Sequence, residues 1–272
     1  MDETDRQDFQ NTVWRQYDRL ARHDLPWRRP EAGGGFDPYK IMVSELMLQQ
    51  TQVSRVIPKY RAFLERFPSA ATLAAAPLGD VLRAWNGLGY NRRAKFLWQA
   101  AGQLVRDYGG RFPDSEAELT KLAGIGHATA SAILAYAFDK PVVFVETNIR
   151  TVFIHHFFND RMDISDKDIV ELIKAALPEG HYREWYWALM DYGTYLKKTI
   201  GNPNRRSKTY AKQSRFEGSR RQIRGHVLRM LGDGSRRLED LRAEINDERL
   251  DSVIASLVEE GMIHRHGATL SL

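Results

Sequence analysis

Gly124 and Gly126 stand one residue apart in Leu119-Thr-Lys-Leu-Ala-Gly-Ile-Gly-His-Ala-Thr-Ala-Ser-Ala-Ile-Leu134, between two segments whose apolar residues have helical spacing. Glycines there let the backbone turn tightly and come close to a partner. The helix that follows opens with N–H groups that no intrahelical carbonyl accepts, and an anion such as a phosphate fits that end. Two carboxylates stand out elsewhere. Glu45 lies in the helical segment Ile41-Met-Val-Ser-Glu-Leu-Met-Leu48, with Ile41, Met42, Leu48 and Gln49 at i±3 and i±4. Burial in such surroundings raises the pKa of a carboxyl, the direction a general acid needs. Glu146 follows Pro141-Val-Val-Phe-Val145, a β-branched stretch that reads as extended, and precedes a helix start. Two carboxylates beside a phosphate-binding turn suit removal of a base from a nucleotide. One acid protonates the leaving base, and one anion stands beside the cation that develops on the sugar.

The elements that must position these residues are mainly α-helical, because apolar residues recur at i, i+3 and i+4 along most of the chain. Helices are predicted over Phe9 to His23, from about Tyr39, and over Val53 to Phe67, Ala70 to Ala75, Leu78 to Trp85, Arg92 to Tyr108 and Glu116 to Leu122. Pro58, Pro68, Pro77 and Pro113 are placed near their boundaries. Near Ser219 a second pattern starts: three helices, the third capped by Asp247 and ended by Gly261, then two short strands around Gly267. That order describes a winged helix-turn-helix, whose third helix could enter a major groove or serve protein contact. The expected domains are 1–200, a basic linker over 201–218 and a winged-helix-like unit over 219–272.

Composition narrows the chemistry. The 272 residues contain no cysteine, which excludes disulfides, thiolate zinc, thiolate-held iron–sulfur clusters and a cysteine nucleophile. The eight histidines show no ligand spacing, so no catalytic metal is expected. No apolar run reaches the length of a membrane span and the first residues are acidic, which reads as a cytoplasmic, nucleoid-associated chain. The net charge of +5 is uneven: Lys197 to Arg229 holds eleven Lys or Arg against one acid, Glu217. Such a density of cations suits a phosphate backbone.

Pro26-Trp27, Pro38-Tyr39-Lys40, Ser44-Glu-Leu-Met-Leu-Gln-Gln-Thr-Gln-Val53, Trp85-Asn-Gly-Leu-Gly-Tyr90, Ala123-Gly-Ile-Gly-His127 and Met190-Asp-Tyr-Gly193 occur in this order. Together they resemble the helix-hairpin-helix DNA glycosylases, most closely the MutY-type adenine glycosylases, over roughly residues 9 to 200. The resemblance implies a two-lobed helical fold with double-stranded DNA and a flipped base between the lobes, acting as a monomer. It places Glu45 on the acid that protonates the purine. Glu146 falls where the family has its catalytic aspartate, one methylene longer and before Thr147-Asn148 where Gly-Asn is usual. Arg28, Leu48 and Asp191 fall on base-pocket positions, and Gln50 and Tyr90 on residues that fill the stack. The DNA contacts implied are Gln50, Tyr90, Gly124, Gly126, His127, Thr129 and Asn148.

The departures from the family carry expectations of their own. Ala128 stands where lyase relatives have lysine, so no strand nicking is expected. The cluster cysteines are missing from Lys197–Lys208, and the resemblance admits a monovalent cation on hairpin carbonyls. The tail stands in place of the nudix-like domain with which MutY checks for 8-oxoguanine. The reading is a monofunctional glycosylase releasing adenine from a mismatch. Thymine or uracil opposite guanine is the alternative substrate, and a DNA-binding or regulatory protein without catalysis the alternative class.

Overall fold

The computed structural model describes all residues 1–272 as fourteen α-helices, two short 3₁₀ turns and three short strands. No helix is long and apolar enough to cross a membrane. In chain order the first helices are α1 (Glu3–Leu20), α2 (Pro38–Leu48), α3 (Val53–Arg66), α4 (Ala70–Ala75), α5 (Leu78–Trp85), α6 (Arg92–Tyr108) and α7 (Glu116–Leu119). They are followed by α8 (His127–Phe138), α9 (Thr147–Phe157), α10 (Asp166–Ala176) and α11 (Tyr182–Thr199). The tail comprises α12 (Arg220–Gly232), β1 (Arg236–Arg237), α13 (Leu238–Glu244), α14 (Leu250–Glu259), β2 (His264–His266) and β3 (Thr269–Ser271).

Helix α1 starts earlier than its apolar stripe suggests. Asp2, in extended conformation, accepts the N–H of Asp5 at 2.8 Å, so the acidic start of the chain caps a helix. Pro58 lies inside α3 and not at a boundary. The ring removes one intrahelical hydrogen bond, and the helix continues because Val56, Tyr60 and Phe63 flank it on a buried face. Pro77, by contrast, is the N-cap residue of α5, and Gly109 ends α6 with φ of 59°.

The chain forms two compact units. One holds residues 1–42, 114–120 and 125–212; the other holds 43–113, 121–124 and 213–272. This differs from a division read along the sequence, since the tail packs into the same unit as 43–113 and residues 1–200 contribute to both. The first unit is built on α1, α8, α9 and α11. Phe9 meets Phe153 and Trp185 at centroid distances of 5.2 and 6.0 Å, and Val13, Ile149 and Val152 complete a buried seam. Each such side chain contributes about 1.5–3 kcal/mol by leaving water.

The second unit packs Phe63 against Trp85 (6.1 Å) between α3 and α5, with α6 laying Leu97, Ala101 and Leu104 into the same core. Its tail carries the three expected helices and the hairpin turning at Gly267. Arg236–Arg237, too short to show any period, add a strand, giving the antiparallel order β1-β3-β2 with Leu270 paired to both neighbours. Asp247 accepts the N–H of Arg249 just before α14, and Gly261 lies at φ of 60° just after it. The tail is fastened to its unit: Arg83 Nε donates to Gly232 O at 3.0 Å, and Arg92 and Arg224 both grip the Glu260 carboxylate.

Candidate active site

Glu146 is the N-cap residue of α9. Its backbone is extended (φ −126°) and its Oε2 accepts the N–H of Asn148 at 2.7 Å. Aspartate is the usual carboxylate at such a position. Here the extra methylene of glutamate folds back onto the second helical N–H, and Oε1 has no hydrogen-bond partner. A negative charge is well placed at a helix N-terminus. Nearby, burial lowers the pKa of the Lys197 amine while the charge of Glu146 acts against that shift.

The first turn of α9 is seated by contacts that the sequence does not advertise. A Cβ on Gly193 would lie 2.2 Å from Asn148 O, so α11 and α9 touch backbone to backbone and only glycine fits. One turn earlier, Met190 offers its sulfur to Asn148 Nδ2 at 3.8 Å. The buried side chain of Asn204 donates to Thr147 O (3.0 Å) and Thr151 Oγ1 (2.9 Å). Asn204 belongs to the stretch where the resemblance places cluster ligands. With no cysteine in the chain, a thiolate-held cluster does not fit there. The segment is tied instead to α9 and to the loop that follows it, with Arg206 O accepting from Ile164 N, and Arg206 Nη2 donating to Ile154 O.

Arg28 and Asp191, expected to line a base pocket, are bound to each other. They are 8% and 3% exposed and form a two-pronged pair, Nη1–Oδ2 at 2.6 Å and Nη2–Oδ1 at 3.0 Å. Arg22 adds a second cation through its Nε and backbone N–H. Removing one partner of a buried pair of this kind costs about 3–5 kcal/mol. Arg28 Nε is buried without a partner and is the donor left over for a ligand.

The two hairpin glycines prove different in kind. Gly124 has φ of 74°, and a Cβ there would meet Phe96 Cβ at 2.5 Å, so its requirement is internal packing. Gly126 has no atom within 4 Å of a built Cβ. It is the N-cap residue of α8, where no side chain caps the helix, and Gly126, His127 and Ala128 are exposed. This is the end of α8 open to an anion. His127 Nδ1 lies 2.6 Å from Glu116 Oε1, and Thr129 is half-buried one turn in.

In the second unit Glu45 and Leu48 are half-buried along α2, whose neighbouring Met42, Leu46 and Met47 are fully buried. Gln50 and Tyr90 share a property that no spacing predicted: both have left-handed backbones, with φ of 52° and 46°. Non-glycine residues adopt that region at a cost, and it clusters at functional sites. Their loops are held by Arg93, a residue that sequence reasoning passed over. Arg93 is 7% exposed, and Nη1 donates to Leu46 O, Met47 O and Gln49 O at 2.6, 3.1 and 2.6 Å. Nη2 donates to Thr51 Oγ1, Leu88 O and Gly89 O at 3.1, 3.2 and 3.0 Å. One guanidinium thus ties the loop of Gln50 to the loop of Tyr90. Burial lowers its pKa to about 10, which leaves it charged at neutral pH.

The candidate residues therefore fall into two sets. Glu146, Asn148, Arg28, Asp191, Gly126, His127 and Thr129 belong to the first unit; Glu45, Leu48, Gln50, Tyr90 and Gly124 belong to the second. Residues 43–179 match the HhH-GPD superfamily of base excision DNA repair proteins. The adenine DNA glycosylase of Mycolicibacterium smegmatis is 34% identical over 272 residues, covering 90% of this chain and 89% of that protein. The adenine DNA glycosylase of Buchnera aphidicola subsp. Baizongia pistaciae is 38% identical over 192 residues, 69% of this chain, which spans about half (52%) of that relative's length. Among solved structures, a thermostable thymine-DNA glycosylase superposes with a TM-score of 0.60 at 26% identity, covering 70% of this chain and 86% of that one. A non-covalent endonuclease III–DNA complex gives 0.56 at 19% identity, covering 71% and 86%, and shares the fold.

Proposed function

As the chain belongs to the HhH-GPD superfamily of base excision DNA repair proteins, we propose that it is a DNA glycosylase that binds mismatched double-stranded DNA as a monomer, flips out adenine and hydrolyses its N-glycosidic bond without cutting the strand. Glu45 protonates the leaving purine. As the bond breaks, positive charge develops on the deoxyribose, and the Glu146 carboxylate stabilises it until water adds. Arg28 and Leu48 bound the base, with Asp191 fixing Arg28. Gln50 and Tyr90 enter the gap left in the stack, and the open end of α8 at Gly126, His127 and Thr129 takes a backbone phosphate.

The observation that carries this reading is the capped carboxylate of Glu146. A single-atom contact, Oε2 to Asn148 N, pins one oxygen and leaves the other without a partner at the start of a helix seated by Gly193. A side chain needed only for capping would be met as well by serine or threonine. At the hairpin position where lyase relatives have lysine this chain has Ala128, which offers no amine to the sugar, so hydrolysis without strand nicking is the proposed outcome. No iron–sulfur cluster takes part in this scheme; the proton and the charge both come from carboxylates.

The test is single-turnover base release at excess protein from duplexes carrying A opposite G, A opposite 8-oxoguanine, T opposite G and U opposite G. Adenine release that needs alkali to break the strand supports the proposal. Release of thymine alone would favour the reading suggested by the likeness to the thymine-DNA glycosylase. Tight binding with no release from any duplex would overturn catalysis by this scheme.

A further inference from the structure

The helix of the tail that a helix-turn-helix reading assigns to the major groove is α14, yet α14 contains no lysine or arginine, and its exposed residues are Asp251, Ser252, Ala255, Val258 and Glu259. Affinity for a polyanion comes mostly from cations, so this face is unsuited to a nucleic acid backbone. Helix α12 is the opposite case. It carries Arg220, Arg221, Arg224 and Arg229, and Arg221, Gly225 and Arg229 recur at intervals of four along one side.

That side of α12 forms one wall of two open grooves, of about 480 and 620 Å³, whose other wall includes Gln50 and Tyr90. Seven arginines line the two grooves against a single acid, Glu260. Burial alone would raise the pKa of Glu260, but hydrogen bonds from Arg92, Arg224 and Ser256 outweigh it and hold the carboxyl at about 2. Glu260 is thereby fully engaged with Arg92 and Arg224. Arg55 and Arg229 have no acidic partner, Arg220 reaches only Ser252 Oγ, and Arg221 turns to the Tyr90 hydroxyl and to Ser214. The tail's attachment through Arg83, Arg92 and Lys95 makes these grooves fixed features of the unit.

We propose that the carboxy-terminal module is a second DNA-binding element, and that it holds the phosphodiester backbone through α12 rather than α14, with phosphates passing Arg55, Arg220, Arg221 and Arg229 beside Tyr90. The proposal rests on the DNA glycosylase reading above. It assigns the winged helix to the DNA on which Gln50 and Tyr90 act.

The experiment is fluorescence anisotropy of the full chain with an undamaged duplex across about 50 to 200 mM salt. It compares wild type with the double variant Arg220→Gln/Arg229→Gln and with Ala255→Glu on α14. All three positions are exposed, and thermal melts check that folding is unchanged. The expected result is that the double variant binds roughly tenfold more weakly at low salt and loses about two from the slope of log K against log salt, while Ala255→Glu stays within about twofold of wild type. A double variant that binds with wild-type affinity and slope, or an Ala255→Glu variant that weakens binding as strongly, overturns the proposal. A double variant indistinguishable on DNA but deficient in capturing an acidic protein partner overturns it as well. Failure of the glycosylase reading registers separately, as DNA binding by wild type without base release from any mismatch.

Discussion

The start of α9 and the loops of Gln50 and Tyr90 are held by opposite means. At α9 the fixing is done by closeness of backbone: Gly193 admits the carbonyl of Asn148 where any Cβ would lie 2.2 Å away, and Glu146 then caps the helix. At the two loops it is done by one long side chain, Arg93, whose guanidinium gathers seven oxygens, from six loop and helix-end carbonyls and the Thr51 hydroxyl. The first arrangement places a small, rigid charge and cannot tolerate added volume. The second places two side chains from strained backbones and cannot tolerate loss of donors. Under the proposed function, Glu146 as a reacting carboxylate calls for sub-ångström constancy, and Gln50 and Tyr90, as residues that enter a base stack, call for a firmly held backbone.

Three substitutions sharpen that contrast. Gly193→Ala should be the most damaging, because the clash is with backbone and one of two packed helices must move. A loss of about 4 kcal/mol or more in denaturant unfolding is expected, or failure to fold; a loss below about 1 kcal/mol would show that the two helices are not locked. Arg93→Met leaves several buried carbonyls without donors and should cost about 3 kcal/mol. Arg93→Lys should recover little, since an ammonium has three donors and no planar fork. Recovery of most of the stability by lysine would mean that charge, and not the pattern of hydrogen bonds, holds the loops.

The smallest effect is set by pH and also separates the two units. His156 in the first unit is held neutral by burial and then by the neighbouring His155, so its pKa falls from 6.5 to about 4. Its contribution is complete above pH 6.5 and is lost as pH falls toward 4. Glu260 in the second unit keeps its charge to about 2, so its contribution is complete above its ordinary 4.5 and lost only below that. From pH 7 to 5, then, wild type should lose roughly 1 kcal/mol of unfolding free energy, allowing for the partial exposure of His156. His156→Gln should abolish most of that loss, whereas Glu260→Gln should weaken the protein equally at both pH values. Urea midpoints at the two pH values measure both.

Much of this architecture is legible in the residues. Helix α6 declares itself by an unbroken apolar stripe and a glycine stop at Gly109, and the extended stretch into Glu146 is marked by its β-branched run. What stayed hidden depends on partners distant in sequence. An arginine at the start of a helix reads as solvated, and nothing near Arg93 in the chain indicates that four of its acceptors lie over forty residues earlier. Gly193 looks like any helical glycine until Asn148 arrives against it. Arg28 and Asp191 were legible as base-pocket positions through resemblance, but only packing shows that they are hydrogen-bonded to each other. The three helices and the hairpin of the tail were visible in outline, whereas the proposed choice of α12 over α14 came from seeing which helix brings arginines to the grooves beside Tyr90.

The central claim is that the carboxylate at the start of α9 is the anion on which base release depends. Glu146→Gln keeps an oxygen for the Asn148 N–H and so preserves the cap while removing the charge. Single-turnover release of adenine opposite guanine should fall on the order of a hundred- to a thousandfold in this variant, with DNA affinity unchanged and stability lowered by no more than about 1 kcal/mol, the worth of the lost charge at the helix start. Release at the wild-type rate would contradict the account and return Glu146 to the role of a helix cap alone.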